Sequence, residues 1–547
     1  MLKHVTNLNN KNTFIRGLLK RDGIFLLLFL VFASVYYIPF ISSGPLNVHL
    51  WRQADCLSIT DQYAKGASFF SPEMNILLAD HNTTGKSAGE FPVLYYIVGQ
   101  IWKITGQSFL VYRLFYLLIL FAGLYAFFRS LHILLKDKIW ASVLTGLLFT
   151  SPLLVSYGLS FLTDIPAFAL VLIALYFFLR YAINHHNKHL YVSLVFFTLA
   201  GLIKTSSLIA FLFLFGILAL ETLGVPTLHK RKVFSISVRE WIGFTLVVLS
   251  VLAWYIYAAY YNHQHGFKYT FNNIWPYWML SSGDRASYLS GIRTFTSHVF
   301  FSRSLIFLLL YLGIINLFMV KRIPLFAYLA NIVIILGSVT YFILWSAAMP
   351  NHDYYFSPLL ILFAGIIIPF VYYVSRQFPS VFRGRIMRIM LWTFLLLNFL
   401  YCTEAVRLKT KSEHGAFPMV GSQEFVNLMR WTNSDVRTNW YRFYRMRSYL
   451  KNDIGMREED KIISLPDVSF NVSLFLSGYD GWTDFKKYHT PEAIERLIQK
   501  GANYLLISND DLLNKKYLQP FIRDSVGDFE GIRIYRLHMG MFSMQKD

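Results

Sequence analysis

Long apolar runs separated by short polar turns dominate this chain, and most are about 17 to 25 residues long, enough to cross a bilayer as one helix. The first lies at about 23–42. Later runs at about 109–128, 139–157, 165–180, 242–261, 300–320, 324–347, 357–375 and 389–405 each predict one span. The stretch from Leu190 to Leu220 is too long for one span and is split by Lys204. It predicts two short helices of about 22 Å each, against a hydrocarbon core of about 30 Å, with Lys204 below the outer surface in a cavity. The sum is about eleven spans.

Two segments break this rhythm. Residues 43–108 form a long first loop, in which Asp55–Ala64 predicts a short amphipathic helix and Phe91–Trp102 is too short and interrupted to cross. The basic turn holding Arg129, Lys136 and Lys138 requires an odd number of crossings after that loop. The run at 109–128 supplies one, so 91–104 is expected to be a half-inserted or surface helix. From about residue 406 the composition becomes that of a soluble domain. Ile462–Leu465, Tyr504–Ser508 and Ile532–Leu537 predict strands and Glu492–Gln499 an amphipathic helix, hence a small α/β unit. The expected fold is mostly α, a polytopic membrane domain over 1–405 followed by an α/β domain over 406–547.

Charge sets the orientation. Lys3, Lys11, Arg16, Lys20 and Arg21 precede the first run, and its length beyond a signal-peptide core marks an uncleaved helix. Arg180 and Lys188, Lys230–Lys232 with Arg239, Lys321–Arg322, and Arg376, Arg383, Arg385 and Arg388 fall on the same side. The turns 157–164 and 349–356 carry no Lys or Arg. The N-terminus is therefore expected in the cytoplasm and the C-terminal domain outside, in the plasma membrane of a bacterium. A formal net charge of +20 reflects this bias and the attraction of basic turns to anionic lipids, which excludes a nucleic-acid reading. With 55% hydrophobic and 15% charged residues, a soluble protein is excluded too. Cys56 and Cys402 make no disulfide framework.

This topology gathers Asp55, Glu90, Asp164, Lys204, His265 and His352 on the outer side, where polar density at a membrane face calls for water or a ligand. Four stretches here, in order, resemble one family: Leu50-Trp-Arg-Gln-Ala-Asp55, Gly89-Glu-Phe-Pro-Val-Leu-Tyr-Tyr96, Phe161-Leu-Thr-Asp-Ile-Pro166 and His352-Asp-Tyr-Tyr355. They are similar to bacterial polyprenyl-phosphate-dependent glycosyltransferases, the group of protein O-mannosyltransferases and the aminoarabinose transferase of lipid A. The resemblance spans roughly residues 20–405 and not the C-terminal domain. It implies a GT-C membrane fold, a lipid-phosphate sugar donor, and inverting transfer to a glycan, lipid or protein acceptor. On this resemblance Asp55 matches the general base. Many relatives have an acid pair where this chain has Ala54-Asp55, and Pro-Pro with a nearby Lys where it has Glu90-Phe-Pro92.

The chemistry asks for these residue types: a carboxylate to take the acceptor hydroxyl's proton and cations to hold a phosphate leaving group. Arg52, Lys204 and Arg113 are the candidate cations, and Glu90, Asp164, His352, Tyr354 and Tyr355 the candidate pocket residues. The competing readings are structural. Asp55 and Asp164 are placed to cap helices, Arg52 to pair with Asp55 or a headgroup, and Lys204 to snorkel. No cofactor is certain from the residues; His265, with His263 and Glu90, leaves a divalent metal open against an ordinary polar loop. A rival function is a transporter or flippase of lipid-linked glycans, which should show internal repeats and polar residues at both faces. No repeat is found, and the polar residues gather at one face. A structural or assembly role would explain the C-terminal domain but not the polar turns.

Overall fold

A computed structural model describes residues 22–45, 49–158, 160–228, 231–266, 274–410, 425–426 and 436–540. The basic N-terminal stretch before Asp22, and Lys230, lie outside the described residues. The membrane part opens with α1 (Asp22–Tyr37). There follow α2 (Leu50–Lys65), α3 (Val93–Thr105), α4 (Phe109–Leu135), α5 (Lys138–Leu148), α6 (Pro152–Gly158), α7 (Asp164–Asn184), α8 (Asn187–Ile203) and α9 (Ile209–Thr222). Next are α10 (Val238–Gln264), α11 (Ser282–Phe295), α12 (Arg303–Leu317), α13 (Leu325–Trp345), α14 (Ile361–Gln377), α15 (Pro379–Arg383) and α16 (Arg385–Thr410).

Each apolar run expected to span is helical, and local chemistry sets several boundaries. Ser108 accepts from the Val111 N–H at the start of α4, Asp137 from Ile139 and Trp140 at the start of α5, and Ser237 with Glu240 forms a reciprocal cap on α10. Gly123 lets α4 and α7 touch, since a Cβ there would stand 2.7 Å from the Ala169 Cα. The Leu190–Leu220 run breaks at Lys204, where α8 ends and a 3-10 turn over Thr205–Leu208 leads into α9.

Among the described residues, 7 helices are long and apolar enough to cross a membrane, or 9 if each bent pair counts once. α1 and α8 occupy two further expected span positions but are shorter, near 25 Å at about 1.5 Å per residue. The chain is a multi-pass membrane protein. As expected, α3 is too short to cross; it buries Leu94, Tyr95, Val98 and Trp102 and exposes Ile104.

The C-terminal unit is a five-stranded sheet in the order β2-β1-β3-β5-β4, built from β1 (Lys461–Leu465), β2 (Asp480–Thr483), β3 (Ala502–Ile507), β4 (Ser525–Phe529) and β5 (Ile532–Arg536). β1 pairs parallel with β2 and β3, while β5 is antiparallel to β3 and β4. The helices α17 (Val436–Arg445), α18 (Arg447–Asn452), α19 (Val472–Ser477) and α20 (Pro491–Gln499) accompany it. This domain is fastened to the first loop: the Leu77 N–H donates to the Gly481 carbonyl at 2.8 Å and the Gly481 N–H to the Asn75 carbonyl at 3.0 Å. The Asp480 carboxylate accepts from Gln62 and Asn75, with Lys65 at 3.3 Å.

Candidate functional site

The site is organised by α2. Residues three apart on a helix advance around it by somewhat less than a turn, so His49, Arg52 and Asp55 fan out to three different neighbours. His49 precedes the helix and pairs with Asp353 at 2.9 Å. Arg52 pairs with Glu90. Asp55 Oδ1 accepts from Asn471 Nδ2 at 2.8 Å. Because α2 begins at Leu50 and His49 is its cap residue, Asp55 lies inside the helix, which overturns the capping alternative for it.

Glu90 is held from several sides. Asn262 clamps the backbone of Ala88 through both amide groups, Trp254 Nε1 donates to the Gly89 carbonyl, and the Phe91 N–H donates to the Leu202 carbonyl. Tyr95 donates to Glu90 Oε1 at 2.6 Å, and a small cleft lined by Ile59, Pro72, Ser87, Glu90, Pro92 and Tyr95 opens beside it. Burial alone would raise this carboxyl, but the Arg52 guanidinium and the Tyr95 hydroxyl hold it below its ordinary value of 4.5. A depressed folded-state pKa stabilises the protein above the unfolded value, and that contribution fades as pH falls through the folded one. Glu90→Gln is therefore expected to lower the melting temperature at neutral pH. The gap from wild type should close below about pH 4.5, as read by thermal unfolding in detergent.

A second group forms at the break between α8 and α9. Lys204 Nζ lies 2.9 Å from Asp164 and above the rings of Tyr354 and Tyr355, 5.7 and 5.2 Å from their centroids. Asp164 is in the first turn of α7, whose cap residue Thr163 makes no side-chain capping bond, so the carboxylate's work is to hold Lys204. Asp353 anchors the third group, accepting from His49 and Tyr157 through Oδ1 and from Lys409 through Oδ2 at 2.5 Å. Lys409 and Asp353 are fully enclosed, at 1% and 2% exposure. Their pairing fixes the following aromatic turn, where His49 meets the Tyr354 ring edge-on at 5.0 Å and His352 lies 5.5 Å from it.

The structure thus brings Arg52, Glu90, Asp164, Lys204, His352, Tyr354 and Tyr355 around the start of α2, and separates two other expected residues. Arg113 is 0% exposed and anchors the chain instead of facing a ligand. Its guanidinium donates to the carbonyls of Phe40, Ile41, Ser43 and Gly44 and packs on Phe161 at 4.5 Å. Those carbonyls follow the end of α1, where no continuing helix satisfies them. His265 pairs with Asp80 at 2.8 Å, near Lys86, whereas Glu90 is engaged by Arg52 and Tyr95. The metal reading that joined His265 to Glu90 does not fit this arrangement. Among the described residues, no three of His, Cys, Asp and Glu are grouped to hold a metal ion.

Sequence reading left Lys409, Tyr157 and Asn471 without a role. A Lys in the last turn of an apolar helix looks like a basic flank, and α16 runs on to Thr410, past the expected end of the span. Nothing local marks Asn471.

Comparison with known proteins bears on the fold that carries these residues. Residues 87–263, which include Glu90, Asp164 and Lys204, match the profile of the dolichyl-phosphate-mannose-protein mannosyltransferase family. ArnT from Cupriavidus metallidurans bound to undecaprenyl phosphate superposes with a TM-score of 0.58 at 12% identity, over 95% of this chain and 99% of that one. The same protein in the apo state gives 0.55 at 12% identity, over 94% and 98%. The oligosaccharyltransferase AglB from Archaeoglobus fulgidus, in complex with an inhibitory peptide and a dolichol-phosphate, gives 0.53 at 11% identity, over 89% and 69%. No curated protein matches the chain in sequence. The chain has the GT-C membrane glycosyltransferase fold, and the resemblance drawn from its ordered motifs is borne out. That likeness reaches the C-terminal domain as well, which the motifs did not cover.

Proposed function

We propose that this chain is an inverting glycosyltransferase that moves a sugar from a polyprenyl-phosphate donor to a hydroxyl group on an outer-face acceptor, with Asp55 as general base. One observation carries the reading: α2 sets Asp55 one helical turn from Arg52, at a face where Lys204, Glu90, Asp164 and the Tyr354–Tyr355 turn converge. The two structural relatives bound to undecaprenyl phosphate and to a dolichol-phosphate support a lipid-phosphate donor.

In the transfer, the acceptor oxygen attacks the sugar C1 while the bond from C1 to the phosphate oxygen breaks. The hydroxyl proton passes to Asp55, and polyprenyl phosphate leaves with the bonding pair. Arg52 and Lys204 are the cations for the developing phosphate charge. Glu90 and Asp164 are each tied to one of these cations, which orients it, and the Arg52 guanidinium helps hold the Glu90 carboxyl below its ordinary range against its burial. Asp55, held in place by the Asn471 amide, is the acid that takes the proton in this reading. His352, Tyr354 and Tyr355 supply ring faces and polar edges for a sugar or headgroup. In this reading the membrane domain extends to about residue 405, the N-terminus is cytoplasmic and the C-terminal domain lies outside the bacterial plasma membrane.

The test uses membranes carrying the full chain and a radiolabelled polyprenyl-phosphate sugar pool. Label should move from the lipid extract into the non-extractable envelope fraction faster than in membranes lacking the protein. No transfer from any lipid pool would remove the enzyme reading and bring forward a flippase.

A further inference from the structure

The C-terminal domain reaches this site through the Asn471 side chain. Asn471 stands just before α19 and is 0% exposed. Its Oδ1 accepts from the Ile76 N–H at 3.0 Å and from the Ser58 hydroxyl at 3.2 Å. Its Nδ2 donates to Asp55 Oδ1 at 2.8 Å and lies 3.4 Å from the Met74 sulfur. A backbone N–H can only donate, so Ile76 fixes which end of the amide is oxygen and turns the NH2 group toward the Asp55 carboxylate.

The loop that carries Asn471 is itself rigidly tied. Asp467 accepts from the N–H and hydroxyl groups of both Ser469 and Ser473, at 2.5 to 2.9 Å. Thr483 in β2 donates to the Ser469 carbonyl at 2.6 Å. β2 also takes residues 75–77 of the first loop as its neighbour. The domain therefore delivers one amide at a fixed position against one carboxylate of the membrane part.

We propose that Asn471 is the positioning residue for the proton-accepting carboxylate, so that the C-terminal domain completes the catalytic site. The proposal rests on the reading of Asp55 as the base. An amide N–H on one carboxylate oxygen fixes the rotation of the group. It also favours the ionised form that a base must start from.

The experiment compares full-length wild type, Asn471→Ala, Asn471→Asp, Ser58→Ala and Asp55→Asn in membranes, with the radiolabelled polyprenyl-phosphate sugar pool as donor, across pH. Asn471→Ala should lower the maximal rate about ten- to hundredfold, the worth of a hydrogen bond to a charged group. The donor concentration giving half-maximal rate should stay within about twofold, as befits a loss felt only in the chemical step. The acid limb of the rate–pH profile should move to higher pH. Asn471→Asp keeps the oxygen that Ile76 and Ser58 use but sets a second acid against Asp55, so it should move the limb further in the same direction. Its near-identical shape keeps the test open should Asn471→Ala not accumulate. Ser58→Ala, which loosens the same amide without touching its NH2 group, should leave the limb in place. Wild-type rates and profiles in both Asn471 variants would overturn the proposal, as would a lower rate with an unmoved limb. If Asp55→Asn is inactive while the Asn471 variants are unaffected, only this inference falls. If Asp55→Asn transfers normally, the base assignment falls with it.

Discussion

Asp55→Asn is expected to reduce transfer of labelled sugar by a factor of about 10² to 10⁴ while leaving retention of polyprenyl phosphate by the purified protein unchanged. The substitution keeps the volume of a buried side chain and an oxygen able to accept from Asn471, so α2 and its contact with the C-terminal domain are retained. What it removes is the ability to take a proton. Donor binding should survive because the cations Arg52 and Lys204 are held by Glu90 and Asp164. A matched loss of lipid retention would mean that the residue acts in binding. Unchanged transfer would move the base to Glu90 or Asp164, each of which would first have to release its cation.

How far the sequence reached follows from the range of each signal. Hydropathy is local, so every expected span has its helix, and Lys204 marked the break between α8 and α9. The span count was less legible: α1 and α8 are too short to pass on length alone, and two further stretches are bent pairs. In the C-terminal sheet, β1, β3 and β5 are legible through their Ile, Leu and Tyr residues. The strands β2 and β4 are not legible, because Gly481 and Gly527 interrupt them and neither carries a run of large apolar residues. The polar residues converged as the topology required, but their pairings could not be read. Glu90 met Arg52 and not His265, and Arg113 turned to the backbone beyond α1. Asn471 and Asp55 are 416 positions apart, beyond any pattern of spacing.

The most severe loss of stability is expected from Asp353→Asn, about 3–5 kcal/mol, the usual cost of leaving a buried charge without its partner. Lys409 and Asp353 are almost wholly excluded from solvent, and the carboxylate serves His49, Tyr157 and Lys409 together. An amide has one accepting oxygen. If that oxygen stays with His49 and Tyr157, its NH2 group confronts the Lys409 ammonium; if it turns to Lys409, two other donors lose their acceptor. Either arrangement should lower the melting temperature in detergent. It should also depress transfer, because the next two residues form the aromatic turn over Lys204. Lys409→Met should destabilise the protein as well, by leaving the carboxylate without its ammonium partner. Combining the two substitutions removes both charges, so the double variant should be more stable than the sum of the single losses predicts. Strictly additive losses would mean that the two charges do not stabilise one another. Recovered stability without recovered transfer would separate the two roles of Asp353: the pair with Lys409 holds the fold, and the carboxylate's bonds to His49 and Tyr157 set the aromatic turn.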